Sequence, residues 1–122
     1  MIAVMLIQSC ESDPCSEVEF ELTYINDTQG DIFIYYEQYE CYNKRHTGKV
    51  YRVCTTVAAG EEVSTGKINK SEKHNLLRLS LSPGPCGCYC GTTILYEGKV
   101  YDGQIVTAII THDGTDYNIE VL

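Results

Sequence analysis

At 122 residues and 43% hydrophobic content, the chain holds enough apolar side chains for one modest core and too many for disorder. Seventeen acidic against nine basic residues give a net charge of −8, which repels phosphate backbones and excludes nucleic acid as an expected partner. Ten Tyr favour strands, because such rings fit a pleated, half-buried surface, and no apolar run approaches the roughly 18–20 residues that cross a bilayer as a helix.

The apolar run Met1–Ile7 meets Gln8, the small Ser9 and then Cys10, and the chain turns polar and acidic at Glu11, Ser12, Asp13 and Pro14. An apolar segment ending at a small residue is the pattern of a signal peptide and its cleavage site. Ile7 three before the cysteine and Ser9 one before it resemble the signal of bacterial lipoproteins. That resemblance implies cleavage before Cys10, acylation of Cys10 on its sulfur and amine by palmitate-type chains, and a membrane anchor. Gln8 departs from the commonest pattern and suits the looser one of Bacteroidetes lipoproteins, in which acidic residues such as Glu11 and Asp13 resemble surface-export signals. No basic segment precedes the apolar run, so Met1 is expected to be an internal methionine of a longer reading frame. The competing reading makes residues 1–9 a buried first strand and Cys10 an ordinary cysteine. The expected division is 1–9 as signal-peptide remnant, 10–16 as lipidated cysteine and tether, and 17–122 as a β-sandwich domain.

Period-two alternation from Glu17 to Tyr24 sets Val18, Phe20, Leu22 and Tyr24 on one face and Glu17, Glu19, Glu21 and Thr23 on the other. Asn26-Asp27-Thr28-Gln29-Gly30 reads as a turn. Ile32–Tyr36 is apolar on both faces and reads as a central strand, Tyr39–Gly48 as an irregular loop. Lys49–Val57 returns to strand, with Tyr51, Val53, Thr55 and Val57 facing inward. A turn at Ala59-Gly60 leads to a short strand, Glu61–Ser64, and residues 66–75 read as a solvated loop. Leu77, Leu79 and Leu81 mark the next strand, broken by Pro83-Gly84-Pro85. Further strands are expected near Thr92–Tyr96, Val100–Tyr101 and Ile105–Thr111. His112-Asp113-Gly114 suits a type I′ hairpin, and Tyr117, Ile119 and Val121 line the final strand. The expected fold is all-β, an antiparallel sandwich (immunoglobulin-like or similar) of seven to nine short strands.

This layout carries a second resemblance. An acidic cysteine start, an Asn-Asp-Thr turn into Asp-Ile-Phe-Ile-Tyr-Tyr, then Ala-Ala-Gly-Glu and Tyr-Glu-Gly-Lys-Val-Tyr, is similar to the small β-sandwich lipoproteins of Bacteroidetes. It implies fold and location, a lipid anchor in the outer membrane of a bacterial envelope, and no chemistry.

With Cys10 assigned to lipid, six cysteines remain as disulfide candidates: Cys15, Cys41, Cys54, Cys86, Cys88 and Cys90. A Cys41–Cys54 bridge would close the loop between them, and Cys15 could pin the tether to the sandwich. In an extended Cys86-Gly87-Cys88-Tyr89-Cys90 the three sulfurs lie about 6.5–7 Å apart on one face, too far to bridge one another easily. Each then needs its own partner, or the three thiolates bind a soft metal with His46, His74 or His112.

Tyr35, Tyr39 and Tyr42 are the candidate ligand contacts, exposed rings that would stack on a sugar or anchor a protein, with Tyr36 packed inward. Glu17, Glu19 and Glu21 could hold calcium but read more simply as a solvated sheet face. Asn26-Asp27-Thr28 and Asn69-Lys70-Ser71 match a glycosylation acceptor that a bacterial lipoprotein makes incidental. No nucleophile elbow, phosphate-binding loop or HExxH pattern occurs, so the chain reads as non-enzymatic, with no cofactor and no metal. The expected role is a membrane-anchored binding or structural module of the envelope with a protein or glycan partner. The alternative is a metal-binding or thiol-redox protein built on Cys86, Cys88 and Cys90.

Overall fold

The computed structural model describes residues 19–42, 45–69, 76–87 and 91–122, with the backbone alone at 39–42, 45–51 and 69. Among them are eight strands and no helix: β1 (Glu19–Asp27), β2 (Ile32–Tyr42), β3 (Arg45–Val57), β4 (Glu62–Asn69), β5 (Leu76–Leu81), β6 (Thr93–Lys99), β7 (Ile105–His112) and β8 (Tyr117–Val121). They form two four-stranded sheets, ordered β4-β1-β7-β8 and β3-β2-β5-β6, packed as a β-sandwich. One pair departs from the expected antiparallel pattern. β1 and β7 run parallel, with Glu21 opposite Ile105 and Asp27 opposite Thr111. A parallel pair needs a long crossover, and the entire second sheet lies between these two strands in sequence.

The alternation read along β1 holds: Phe20, Leu22, Tyr24 and Asn26 are buried and the residues between them half-exposed. They meet Val106, Ala108 and Ile110 of their own sheet and Ile32, Ile34, Tyr36, Leu77, Leu79 and Leu81 of the other in one core. Each fully buried aliphatic or Phe side chain contributes about 1.5–3 kcal/mol relative to exposure. Burial pushes the Tyr24 phenol well above its ordinary pKa, with Tyr36 adding to the effect, so both rings stay neutral at physiological pH.

Several expected boundaries are corrected. The stretch 39–48 is part of a hairpin between β2 and β3, where Tyr39 pairs with Val50, Cys41 with His46 and Tyr42 with Arg45. Polar residues are tolerated in it because the ladder, not side-chain burial, satisfies the backbone. β4 does not stop at Ser64. Thr65 and Gly66 together oppose Leu22 in a bulge, Gly66 takes φ 73°, and the strand runs on to Asn69 with Ile68 in the core. The positive φ explains why a glycine sits inside a strand. Val100–Tyr101 is not a strand but the entry to a turn, with Val100 buried and Tyr101 exposed. Val53 does lie on the core side of its ladder, opposite Tyr36, yet is 41% exposed because β3 is the edge of its sheet.

The outward face of the second sheet is buried along its central strands and open at its edges: Glu37 and Ser80 are fully buried, while the Arg52 and Glu97 side chains stay 42% and 46% exposed. Arg52, Glu37, Arg78 and Glu97 are direct neighbours on β3, β2, β5 and β6, a row of alternating charge across all four strands. The Glu37 side chain is fully buried; its Oε2 accepts from Arg52 Nε at 3.1 Å and its Oε1 from Ser80 Oγ at 3.2 Å. Arg78 holds Glu97 Oε2 through Nε at 3.0 Å and Nη2 at 2.7 Å. A buried carboxylate persists only with such partners. One row along, Tyr35 pairs with Cys54 and Ser80, and Cys54 is bridged to Cys86, Cα to Cα 5.8 Å. The bridge draws the segment after β5 across β2 to β3.

Asn26 ties the two sheets together at the β1–β2 turn. Its Nδ2 donates to the carbonyls of Gly30 at 2.8 Å and Val57 at 2.9 Å, and its Oδ1 accepts from the Thr28 amide and hydroxyl at 3.0 and 2.6 Å. The Asn26-Asp27-Thr28 tripeptide is therefore spent inside the fold. Asn26→Ala is expected to cost about 3 kcal/mol, since it leaves buried donors and acceptors unmet. In urea unfolding the midpoint should fall while the denaturant slope holds. Asn26→Asp, which sets a carboxylate against two carbonyls, should be worse still.

Candidate functional site

At the end of the sandwich where β1 stops and β2 starts, three connections meet: the β1–β2 turn, the β7–β8 hairpin loop and the segment joining β5 to β6. Asn26 sets the first of these. Asp31 closes the turn by accepting the Ala59 amide on Oδ1 at 3.2 Å.

The hairpin is longer than the expected two-residue type I′ turn. Its last pair is His112 with Tyr117, which leaves a four-residue loop, Asp113–Asp116. The cause is the Asp113 side chain, whose Oδ1 accepts the amides of Thr115 at 2.9 Å and Asp116 at 2.8 Å, while Oδ2 accepts from Asn118 Nδ2 at 3.2 Å. Gly114 follows with φ 100° and donates its amide to His112 Nδ1 at 3.1 Å. The His112 and Tyr117 rings stand edge to face with centroids 4.6 Å apart. This contact fixes the direction of Tyr117, which is 41% exposed.

Tyr117 forms a wall shared by two concavities. One is a groove of about 320 Å³ running over Ile32, Phe33, Leu81 and Leu95, with Asp31, Ser82, Thr93, Thr115 and Asp116 around it and Pro83 and Gly91 at its side. The other, about 560 Å³, is an open basin between Asp27–Gly30 and His112, Gly114 and Tyr117. The groove falls at the small end of ligand pockets, roughly 300–1,000 Å³, and has their composition: an apolar floor with a few polar groups on the rim. The polar rim holds two carboxylates, Asp31 and Asp116, among the hydroxyls of Ser82, Thr93 and Thr115, and Asp113 beside it is held at a pKa of about 2 by the Asp116 amide first, then by Thr115 and Asn118. Carboxyl and hydroxyl oxygens both accept hydrogen bonds, so the rim suits a ligand rich in donors.

Of the residues singled out in the sequence, Cys54 and Cys86 meet as a disulfide. That pairing corrects the expected Cys41–Cys54 bridge and removes the Cys86 sulfur from any three-thiolate set. Cys10, Cys15, Cys88 and Cys90 lie outside the described residues, as does the side chain of Cys41. Tyr35 is 6% exposed, which corrects its reading as a free aromatic contact: it projects from the outward face of the second sheet, but that face is covered at its row. Tyr39 and Tyr42 sit toward the far end of β2, away from the groove, and their side chains lie outside the described residues. Among the described residues no group of three His, Cys, Asp or Glu is placed to hold a metal ion. The groove residues Asp31, Phe33, Asp116 and Tyr117 carried no motif, because they come from separate strands and turns; only the turn chemistry around Asp113 hinted at a built loop.

The Asp113 carboxyl is held below its ordinary value, so its contribution is present above about pH 3.8 and is lost as the pH falls through about 2. In an NMR titration the Thr115 and Asp116 amides are expected to shift together with a midpoint near 2, and to show no such step in Asp113→Ala.

No family model matches the chain, and no curated protein matches it. Among solved structures it is similar to a disulfide-locked mutant of intermedilysin with human CD59, at 9% identity and TM-score 0.47, covering 85% of this chain and 24% of that one. It is also similar to the membrane-binding domain of pneumolysin, at 10% identity and TM-score 0.42, covering 88% and 96% of the two chains. A third is the cytotoxin suilysin from Streptococcus suis, at 12% identity and TM-score 0.37, covering 88% and 24%. The chain thus spans about a quarter of the intermedilysin and suilysin chains. At this level of likeness no function passes from those toxins to this chain.

Proposed function

We propose that the chain is a lipid-anchored lipoprotein of a bacterial outer membrane, of the small β-sandwich Bacteroidetes kind, acting without catalysis as a glycan-binding module. The observation that carries the binding role is the end groove, which Tyr117 and Phe33 line together with Asp31 and Asp116. A sugar ring has an apolar C–H face that packs on an aromatic side chain and hydroxyls that donate to carboxylates. A neutral oligosaccharide satisfies both halves of this groove, whereas an anionic ligand meets repulsion.

The anchor reading rests on Ile7, Ser9 and Cys10 and on the acidic tether that follows. Acyl chains contribute about 0.8 kcal/mol per buried methylene, so several together hold a protein on a membrane almost irreversibly. The eight steps of about 3.3 Å along β1 then set the groove roughly 26 Å beyond the strand's first residue, at the end remote from the tether. A groove so placed opens away from the bilayer.

Expressed behind a complete signal sequence, the protein is expected to incorporate labelled palmitate and to fractionate with membranes, and Cys10→Ser to do neither. An unlabelled protein retaining residues 1–9 would remove the anchor. For the groove, isothermal titration against a panel of neutral oligosaccharides should find a ligand whose affinity drops about tenfold or more, some 1.4 kcal/mol, in both Tyr117→Ala and Asp116→Ala. Binding that survives both changes and fails in Tyr39→Ala or Tyr42→Ala would move the site to the other end of β2.

A further inference from the structure

Tyr35 projects from the outward face of the second sheet, between Cys54 of β3 and Ser80 of β5, yet it is only 6% exposed. Among the described residues, the chain that leaves β5 is what crosses this row. Ser82 still follows the ladder, its amide donating to the Phe33 carbonyl at 2.8 Å. Residues 83–87 come next, and Cys86 reaches Cys54 with the Cα atoms 5.8 Å apart. β5 and β3 flank β2, so a covalent link from the end of one to the other passes over the strand between them, at the row of Tyr35.

Among the described residues, this strap is held by little besides its bridge. Pro83 and Pro85 have no amide to donate, and no backbone hydrogen bond joins 83–87 to another described residue. A Cβ added at Gly84 or Gly87 would meet nothing within 4 Å, and Pro83, Pro85, Cys86 and Gly87 are exposed. The two strands it joins are secure without it. β3 keeps its ladder with β2 from Val57 opposite Ile32 to Arg45 opposite Tyr42, and β5 keeps its ladders with β2 and β6. Neither cysteine belongs to the core. Loss of the bridge therefore frees the strap while the sandwich stands, a local opening well short of global unfolding.

Cys86 is exposed and Cys54 half-buried, and exposed disulfides are the ones that exchange readily. We propose that the Cys54–Cys86 bridge is a redox-sensitive latch, opened by an external dithiol, that keeps Tyr35 covered when oxidised and uncovers it when reduced. A thiolate of the dithiol attacks the Cys86 sulfur, the S–S bond breaks, and Cys54 leaves as a thiolate that takes up a proton. The second thiol of the reagent then attacks the mixed disulfide and releases Cys86 as a thiol. The reagent ends as its own disulfide, and its two electrons and two protons pass to the protein. The latch depends neither on the lipid anchor nor on the glycan reading of the groove.

The test treats the full-length protein with dithiothreitol without denaturant, alkylates the free thiols and maps them by mass spectrometry. In parallel, acetylation of tyrosines by N-acetylimidazole is followed residue by residue. The latch predicts that Cys54 and Cys86 become alkylated and that Tyr35 is acetylated roughly tenfold faster or more, as a local opening requires. Tyr24, fully buried in the core, should stay unmodified and so report that the fold persists. Cys54→Ser with Cys86→Ser, which leaves the other cysteines in place, should show the fast Tyr35 reaction without reductant and no further gain with it. Reduction that opens Tyr24 together with Tyr35 overturns the latch and makes the bridge a global staple. A reduced protein in which Tyr35 stays protected overturns it too, and that reading holds even where the double variant fails to fold.

Discussion

One amide side chain, Asn26, ends the alternating face of β1 and begins the geometry of the groove. By position it belongs with Phe20, Leu22 and Tyr24 on the inward side, but it is polar, and a polar group buried there must find partners or cost free energy. It finds them on both sides of the sandwich: Thr28 and Gly30 in its own turn, and Val57 at the end of a strand in the opposite sheet. The backbone of the same residue bonds Gly60 and Glu61 across the β3–β4 connection. Two chain crossings between the sheets are locked by a single residue. Because the β1–β2 turn supplies Asp31 to the groove and Asp27–Gly30 to the basin beside it, the shape of that end follows from this lock.

The second sheet is buried on its inward face and partly covered on its outward one. Inward it presents Ile32, Ile34, Leu77, Leu79 and Leu81 to the core. Outward, the charge row buries Glu37 while Arg52 and Glu97 stay partly in water, and the Cys54–Cys86 bridge lies one row along, where Cys54 pairs with Tyr35. A buried ion pair contributes little net stability, since desolvation offsets most of the attraction, but breaking one side leaves an uncompensated charge. The row therefore acts as a constraint on register: a slip of one residue would carry Glu37 to the core face and set it among the leucines.

The most exposed apolar side chains lie on the first sheet, in the β6–β7 turn and on β6. Tyr101 and Ile105 lie toward the start of β1 and Leu122 is level with Thr23 midway along it; Tyr117 and the groove lie at the other end, with Ile94 nearby on β6. The chemistry of the ends differs. The groove combines an apolar floor, the Tyr117 wall and a rim of carboxylates and hydroxyls, whereas the end where β1 starts carries the turn of Tyr101.

Much of the architecture was legible in the order of residues. Alternation in β1 and β5, and the apolar run at Ile32–Tyr36, set strand identity and inward faces directly, because a pleated strand turns successive side chains to opposite sides and period two leaves no freedom. The Gly60 turn and the Asp113 loop were also marked by their residues, although the loop's length was decided by how many amides one carboxylate could gather. What sequence could not supply was partnership between distant segments. The parallel pairing of β1 with β7, the choice of Cys86 over Cys41 as partner to Cys54, the burial of Tyr35 and Glu37 on an outward face, and the meeting of Asp31, Phe33, Asp116 and Tyr117 all depend on which strands lie side by side. Local pattern determines which way a side chain points; only the packed sheets determine what it meets there, since that is a sum over many long-range contacts and no single residue records it.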